Sequence, residues 1–166
     1  MEEILFDDWA NSYDESIKKQ QSEFPFKGYV ELLTYIAKQI KPTSKILDLG
    51  CGTAEILNYL QDLEVIYTGI DSSSKMLQRA REKFGDIQLI LSSIDDLENL
   101  ELDIYNNIIS TYYFHHHDQQ GKIEVLKNIL RYLNPGGTIL ISDIPYYNKQ
   151  TLSSAKDRYR SYLYET

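Results

Sequence analysis

Short apolar runs alternate with amphipathic stretches along this chain. Five runs rich in branched aliphatic residues read as strands: Lys45–Leu49, Val65–Ile70, Ile87–Leu91, Asn107–Thr111 and Thr138–Asp143. Helical spacing fills the intervals. Ala54–Leu60 follows the first run. Ser73–Phe84 opens on serines suited to capping and stops at Gly85. Gln119–Leu133 sets Ile123, Leu126, Ile129, Leu130 and Leu133 on one face, ahead of Asn134-Pro135-Gly136-Gly137. Trp9–Gln20 and Tyr29–Gln39 form a helical leader, and Leu152, Ala155, Tyr159, Tyr162 and Leu163 mark one face of a final helix. Strands separated by helices require right-handed crossovers and parallel pairing. The expected fold is therefore α/β: a doubly wound, mostly parallel sheet of five recognisable strands behind an N-terminal helical leader. One domain is expected over residues 1–166, with leader 1–42, core 43–145 and C-terminal helix 146–166.

The first strand runs into Asp48-Leu49-Gly50-Cys51-Gly52-Thr53-Ala54. Two glycines one residue apart let the backbone turn sharply and approach a ligand where a Cβ would intrude. Ligands of doubly wound sheets lie at this strand end. The dinucleotide fingerprint G-x-G-x-x-G fits at Gly50 and Gly52, but its third glycine falls on Glu55. A carboxylate there opposes a diphosphate, and Asp48 adds a second negative charge. Both acids suit a ligand that is cationic at this end. A second acid, Asp71, closes the second strand about twenty residues later, where ribose hydroxyls lie in such folds. Asp71 is equally placed to cap the helix that begins near Ser72 and Ser73.

Composition narrows the partners. The 166 residues carry a formal charge of −8, which argues against sequence-independent nucleic-acid binding. Cys51 is the single cysteine, so no internal disulfide forms, and it reads as a packing residue in the loop. Met1-Glu2-Glu3 opens an acidic N-terminus without an apolar signal core, and no apolar run reaches bilayer length. The expectation is a cytoplasmic protein with no membrane partner.

The glycine loop resembles the first motif of class I S-adenosylmethionine-dependent methyltransferases, acid-x-Gly-x-Gly-x-Gly, with Ala54 at the third glycine. Phe6–Asp14 is similar to the leader of the small-molecule type, including the ubiquinone/menaquinone group. The resemblance runs from Phe6 to about Asp143 and implies a Rossmann-like methyltransferase fold with S-adenosylmethionine as cofactor. It implies cofactor contacts from Tyr13, Asp48, Gly50, Cys51, Gly52, Asp71, Ser72, Met76 and Ser110. It also places Ser93 and Ile94 at the adenine, with Ser93 where relatives often carry an acid. Leu133–Gly137 looks like the family turn before the fifth strand. The family sheet usually has seven strands, and no strand pattern follows Asp143. The expectation is a fifth-strand edge covered by self-association or by the final helix, in a chain shortened relative to the family.

The chemistry implied is methyl transfer to a small-molecule acceptor. Catalytically inactive binding of S-adenosylmethionine or S-adenosylhomocysteine, and a nicotinamide dehydrogenase, stand as alternatives. His115 and His116, after the fourth strand, are candidates for the acceptor-side base, or else cap the loop or form polar surface. Three consecutive histidines also raise the question of a metal. Adjacent residues rarely converge on one ion, so none is expected. The methyl acceptor is not readable from these residues.

Overall fold

The computed structural model describes residues 27–143 together with Ile17; the expected helix Trp9–Gln20 beyond Ile17, and the expected final helix, lie outside these residues. The described elements are α1 (Tyr29–Gln39), β1 (Lys45–Leu49), β2 (Ile66–Asp71), α2 (Ser74–Phe84), β3 (Gln88–Leu91), β4 (Tyr105–Thr111), α3 (Gln119–Ile129) and β5 (Leu133–Ser142). The strands form one sheet in the order β3-β2-β1-β4-β5, and every pairing is parallel.

Strand β1 sits at the centre, and its alternation divides the core. Ile46 joins Leu33 and Ile36 of α1 with Leu77 and Ala80 of α2 on one face. Leu47 and Leu49 join Ile108 of β4 and Val125 and Ile129 of α3 on the other. A strand buried on both sides must be apolar almost throughout, which is why the run reads continuously rather than alternately. The crossovers run outward through β2 and β3, then reverse at β4. The C-terminal ends of β1 and β4 therefore flank the switch point, where this architecture opens a crevice.

Strands β2, β3 and β4 and helix α2 shift by one or two residues at their ends, and three segments depart further from expectation. The Ala54–Leu60 segment is no α-helix. It forms a 3-10 helix at Glu55–Tyr59 and a second at Gln61–Leu63. Helix α3 ends at Ile129 and a 3-10 turn covers Leu130–Tyr132. Its buried residues are Val125 and Ile129, whereas Ile123, Leu126 and Leu130 are exposed. Strand β5 begins at Leu133, opposite Tyr105. The Asn134–Gly137 turn then loops out before pairing resumes between Asn107 and Thr138.

Helix α2 starts as the sequence expects. Ser73 is its N-cap, and the Ser73 Oγ accepts a hydrogen bond from the Met76 N–H at 3.1 Å. Ser73 is buried, so its loss leaves that donor without water. Ser73→Ala is expected to cost about 1 kcal/mol, read as a lower urea midpoint with unchanged slope. Among the described residues, no helix is long and apolar enough to cross a membrane.

Candidate functional site

The glycine loop is held by the end of β2. Gly50 and Cys51 both donate backbone N–H groups to the Ile70 carbonyl, at 2.9 and 3.0 Å. Gly52 donates its N–H to Asp71 Oδ2 at 2.8 Å, while Asp71 Oδ1 accepts from the Ser73 N–H at 2.8 Å. One carboxylate thus ties the loop to the start of α2. Asp71 is not the cap expected of it: Ser73 supplies the cap, while Asp71 braces the helix entry. The backbone is left-handed at Gly50 (φ 69°) and Gly52 (φ 52°). Ala54, at the third glycine position, is also left-handed (φ 56°) and fully buried. A Cβ in that region costs about 1–2 kcal/mol.

The charge around the loop is more specific than its shape. Glu55 pairs with Lys83 Nζ at 2.7 Å, and Lys83 also donates to Thr53 Oγ1 at 3.2 Å. The Glu55 charge is compensated, so it no longer bears on the choice of ligand. Among the described residues, Asp48 has no such cation. It is 3 % exposed, and its Oδ2 accepts from the Tyr67 hydroxyl at 2.7 Å. The Cys51 thiol donates toward the Gly52 carbonyl at 3.8 Å. Burial, reinforced by the negative charge of Asp71, raises the Asp48 pKa to about 7 despite the stabilising hydroxyl. Burial and the nearby carboxylates likewise push the Cys51 thiol and the Tyr67 hydroxyl upward, so both stay protonated. The loop therefore overlies two carboxylates, one of them ionised only with difficulty.

The remaining expected contacts are distributed unevenly. Ser72 lies half-buried between Asp71 and the cap. Met76 is buried within the first turn of α2. Ser110 is buried at the end of β4, and its hydroxyl donates to the Leu49 carbonyl at 2.8 Å, strapping β4 to β1 beneath the loop. Ser93 caps the short 3-10 helix Ile94–Asn99, accepting from the Asp95 N–H at 3.2 Å, and the Ile94 side chain is buried. Tyr13 lies outside the described residues.

The chain after β4 folds back over the loop. Tyr112 takes a left-handed conformation (φ 57°) and donates its N–H to the Ser142 carbonyl at 2.9 Å. This turn lays the Tyr113 side chain against Gly50. A Cβ built on Gly50 would stand 2.6 Å from Tyr113 Cγ. The Tyr113 ring lies 5.7 Å from His116 and 5.5 Å from His117. His116 stacks on His115 at 4.0 Å, and His115 Nδ1 lies 2.7 Å from Asp143 Oδ1. His117 Nδ1 faces Asp95 at 3.6 Å. The three histidines point to different partners. Among the described residues, no group of three His, Cys, Asp or Glu side chains is placed to hold a metal ion.

Tyr67 and Lys83 were not legible as residues of this site, and neither was the pairing of Asp143 with His115. The signal for Asp143 was available, because it follows the strand beside β4 and must emerge near His115. Tyr67 shares a face with Asp48 only in the observed register, Asp48 against Gly69.

The comparisons with known proteins agree with this geometry. The family described as a methyltransferase domain matches residues 40–164. An uncharacterised methyltransferase of Geobacillus sp. strain WCH70 is 32 % identical over 159 residues, spanning 94 % of this chain and 73 % of the relative. A solved S-adenosylmethionine-dependent methyltransferase from Geobacter sulfurreducens, in complex with S-adenosyl-L-homocysteine, is 30 % identical with a TM-score of 0.53; the match covers 67 % of this chain and 47 % of that one. The putative methyltransferase in a complex with the Haloferax volcanii Trm112 activator is 25 % identical with a TM-score of 0.63, covering 81 % of this chain and 57 % of that one. The chain thus spans about half the length of these two solved structures. With its parallel sheet, its glycine loop at the switch point and a family match over most of its length, the chain belongs to the class I S-adenosylmethionine-dependent methyltransferase family.

Proposed function

We propose that this chain binds S-adenosylmethionine and transfers its methyl group to a small-molecule acceptor. The observation that carries the reading is the glycine loop itself, tied by Gly52 to Asp71 with a second carboxylate, Asp48, buried beneath it. The donor set fits this cofactor. A ligand bearing an ammonium and a sulfonium relieves the repulsion between Asp48 and Asp71, whereas a diphosphate adds to it. Among the described residues, nothing lies within 4 Å of where a Gly52 Cβ would stand, which suits close approach of a ligand on that side of the loop.

In this reading Asp71 takes the ribose hydroxyls while it braces the glycine loop. Gly50, Cys51 and Gly52 supply the close backbone surface. Asp48 answers the cationic end, Ser93 and Ile94 border the adenine with Ser72 and Met76 near them, and Ser110 holds the β1–β4 edge in register. The family resemblance assigns Tyr13 to the methionine end. When bound, the cofactor supplies a methyl carbon activated by its sulfonium. The protein's task is then to hold an acceptor in line and exclude water. The small-molecule assignment is supported by the net charge of −8, which disfavours RNA or DNA as acceptor.

Calorimetric titration tests the cofactor half. Micromolar binding of S-adenosylmethionine and S-adenosylhomocysteine is expected, with no heat from NAD. Asp71→Ala removes a charged acceptor worth about 1.5–3 kcal/mol and is expected to weaken binding roughly 10- to 100-fold. Absence of binding by the folded chain, or binding of NAD with equal strength, would overturn the reading.

A further inference from the structure

The end of β5 brings a carboxylate to the histidine loop. Thr111 pairs with Ser142 in the β4–β5 ladder, so the next residue, Asp143, emerges beside the segment that follows β4. Asp143 Oδ1 lies 2.7 Å from His115 Nδ1, with the two side chains 15 % and 26 % exposed. Among the described residues, the groups facing His115 are Asp143, which follows β5, and the His116 ring, tilted at a centroid distance of 4.0 Å. The charge of Asp143, with burial, also raises the pKa of the Tyr112 hydroxyl, which therefore stays a neutral neighbour. Through His116 and Tyr113, His115 is in continuous ring contact with the residue that packs on Gly50. The dyad accordingly stands at the same sheet edge as the cofactor loop.

A carboxylate is an acceptor only. At 2.7 Å from a ring nitrogen it holds the imidazole proton on Nδ1 and leaves the lone pair on Nε2. We propose that Asp143 is a positioning residue that fixes His115 as a proton acceptor, and that the methyl acceptor is therefore a protic nucleophile bearing an O–H or S–H group. A neutral amine can attack through its lone pair before losing a proton, so it needs no such base. A hydroxyl or thiol does. In the balanced step the acceptor's X–H bond breaks and its proton passes to His115 Nε2. The freed pair forms the new bond to the methyl carbon, and the carbon–sulfur pair stays with the sulfur. The products are the methylated acceptor, S-adenosylhomocysteine and an imidazolium facing Asp143.

This inference rests on the methyl-transfer reading, but its first test does not require turnover. Nitrogen-resolved NMR of the imidazoles at about pH 8, above the ordinary histidine range, reports which nitrogen carries the proton. In the full chain, His115 is expected to be protonated on Nδ1. Asp143→Asn is expected to shift the proton toward Nε2, and Asp143→Glu, which keeps a carboxylate, to restore Nδ1. A proton on Nε2 in the wild type, or no change in Asp143→Asn, overturns the dyad. The second test is labelled methyl transfer to a thiol and a phenol, set against a thioether and a tertiary amine. Product is expected from the protic pair, falling about 100-fold or more in His115→Ala. Transfer to the thioether or tertiary amine, or transfer undiminished in His115→Ala, overturns the acceptor class. Failure of the folded chain to bind S-adenosylmethionine defeats the methyl-transfer reading. A misplaced proton in a chain that binds the cofactor defeats this inference alone.

Discussion

Gly50→Ala is expected to destabilise the protein by about 3 kcal/mol or more, while Gly52→Ala costs about 1 kcal/mol. Both positions have left-handed backbone, at φ 69° and 52°, so each alanine carries the same conformational penalty. The difference is what the new methyl meets. At Gly50 it lies 2.6 Å from Tyr113 Cγ and 2.8 Å from Tyr113 Cβ. These atoms are at the stem of the side chain, so rotation about the outer bonds does not move them away. Relief requires the Tyr112–Tyr113 backbone to shift, although the Tyr112 N–H is tied to Ser142. At Gly52 no described residue stands within 4 Å of the added methyl. That side of the loop is where the proposed cofactor approaches, so Gly52→Ala is expected to lower S-adenosylmethionine affinity more than it lowers stability. Urea unfolding and calorimetry on the two variants separate the effects. Equal stability losses would mean that Tyr113 does not hold Gly50 as described.

The same loop shows where sequence legibility ends. Its strand, its glycines and its closing acid were readable, because each depends on local chain chemistry: a buried apolar run, a sharp turn, a carboxylate at a strand end. The helix expected after it was not correct, and the cause is also local. Ala54 at φ 56° cannot belong to a right-handed first turn, so helical geometry starts only at Glu55. Successive three-residue hydrogen bonds, Leu57 to Ala54, Leu60 to Leu57 and Leu63 to Leu60, then carry the chain. Residues such as Ile56 and Leu60, apolar and helically spaced, satisfy either geometry, which is why periodicity did not separate them. The burial of α3 failed differently. Its spacing offered Ile123, Leu126, Ile129, Leu130 and Leu133 as the inner face; Ile129 is buried as expected, but Ile123, Leu126 and Leu130 are exposed and Val125 takes the other buried place. Which apolar stripe faces inward is decided by the docking of the whole helix. Side-chain partners across the sheet were illegible for the same reason. Tyr67 against Asp48 follows from strand register, and Asp143 against His115 follows from where the β4–β5 ladder ends.

Asp48→Asn is expected to make the protein more stable at pH 8 by up to about 4 kcal/mol and, at the same time, a weaker binder of S-adenosylmethionine. The sign follows from the raised pKa. Asp48 titrates near 3.8 when unfolded and at about 7 when buried. Below about pH 4 both states hold the proton, and Asp48 imposes no pH-linked cost. Between the two values the folded chain keeps a proton that the unfolded chain releases. The native state then binds more protons, so stability falls as pH rises. Above about 7 the carboxylate is ionised in both states and the whole penalty is present. At about 1.4 kcal/mol per pH unit, the interval amounts to about 4 kcal/mol. Asparagine accepts from the Tyr67 hydroxyl as the carboxylate does, but it never acquires the buried charge. The stability difference between variant and wild type should therefore be large at pH 8, shrink through pH 6 and vanish near pH 4 in urea titrations. A constant difference across that range would show that Asp48 is ionised without penalty. Under the proposed function, the cationic end of the bound cofactor offsets this charge. In the wild type near pH 6, cofactor binding ionises Asp48 and releases its proton, so the calorimetric heat should vary with the ionisation enthalpy of the buffer. In Asp48→Asn that dependence should disappear along with part of the affinity. Proton release that persists in the variant would assign it to another group and remove Asp48 from the cationic end of the cofactor.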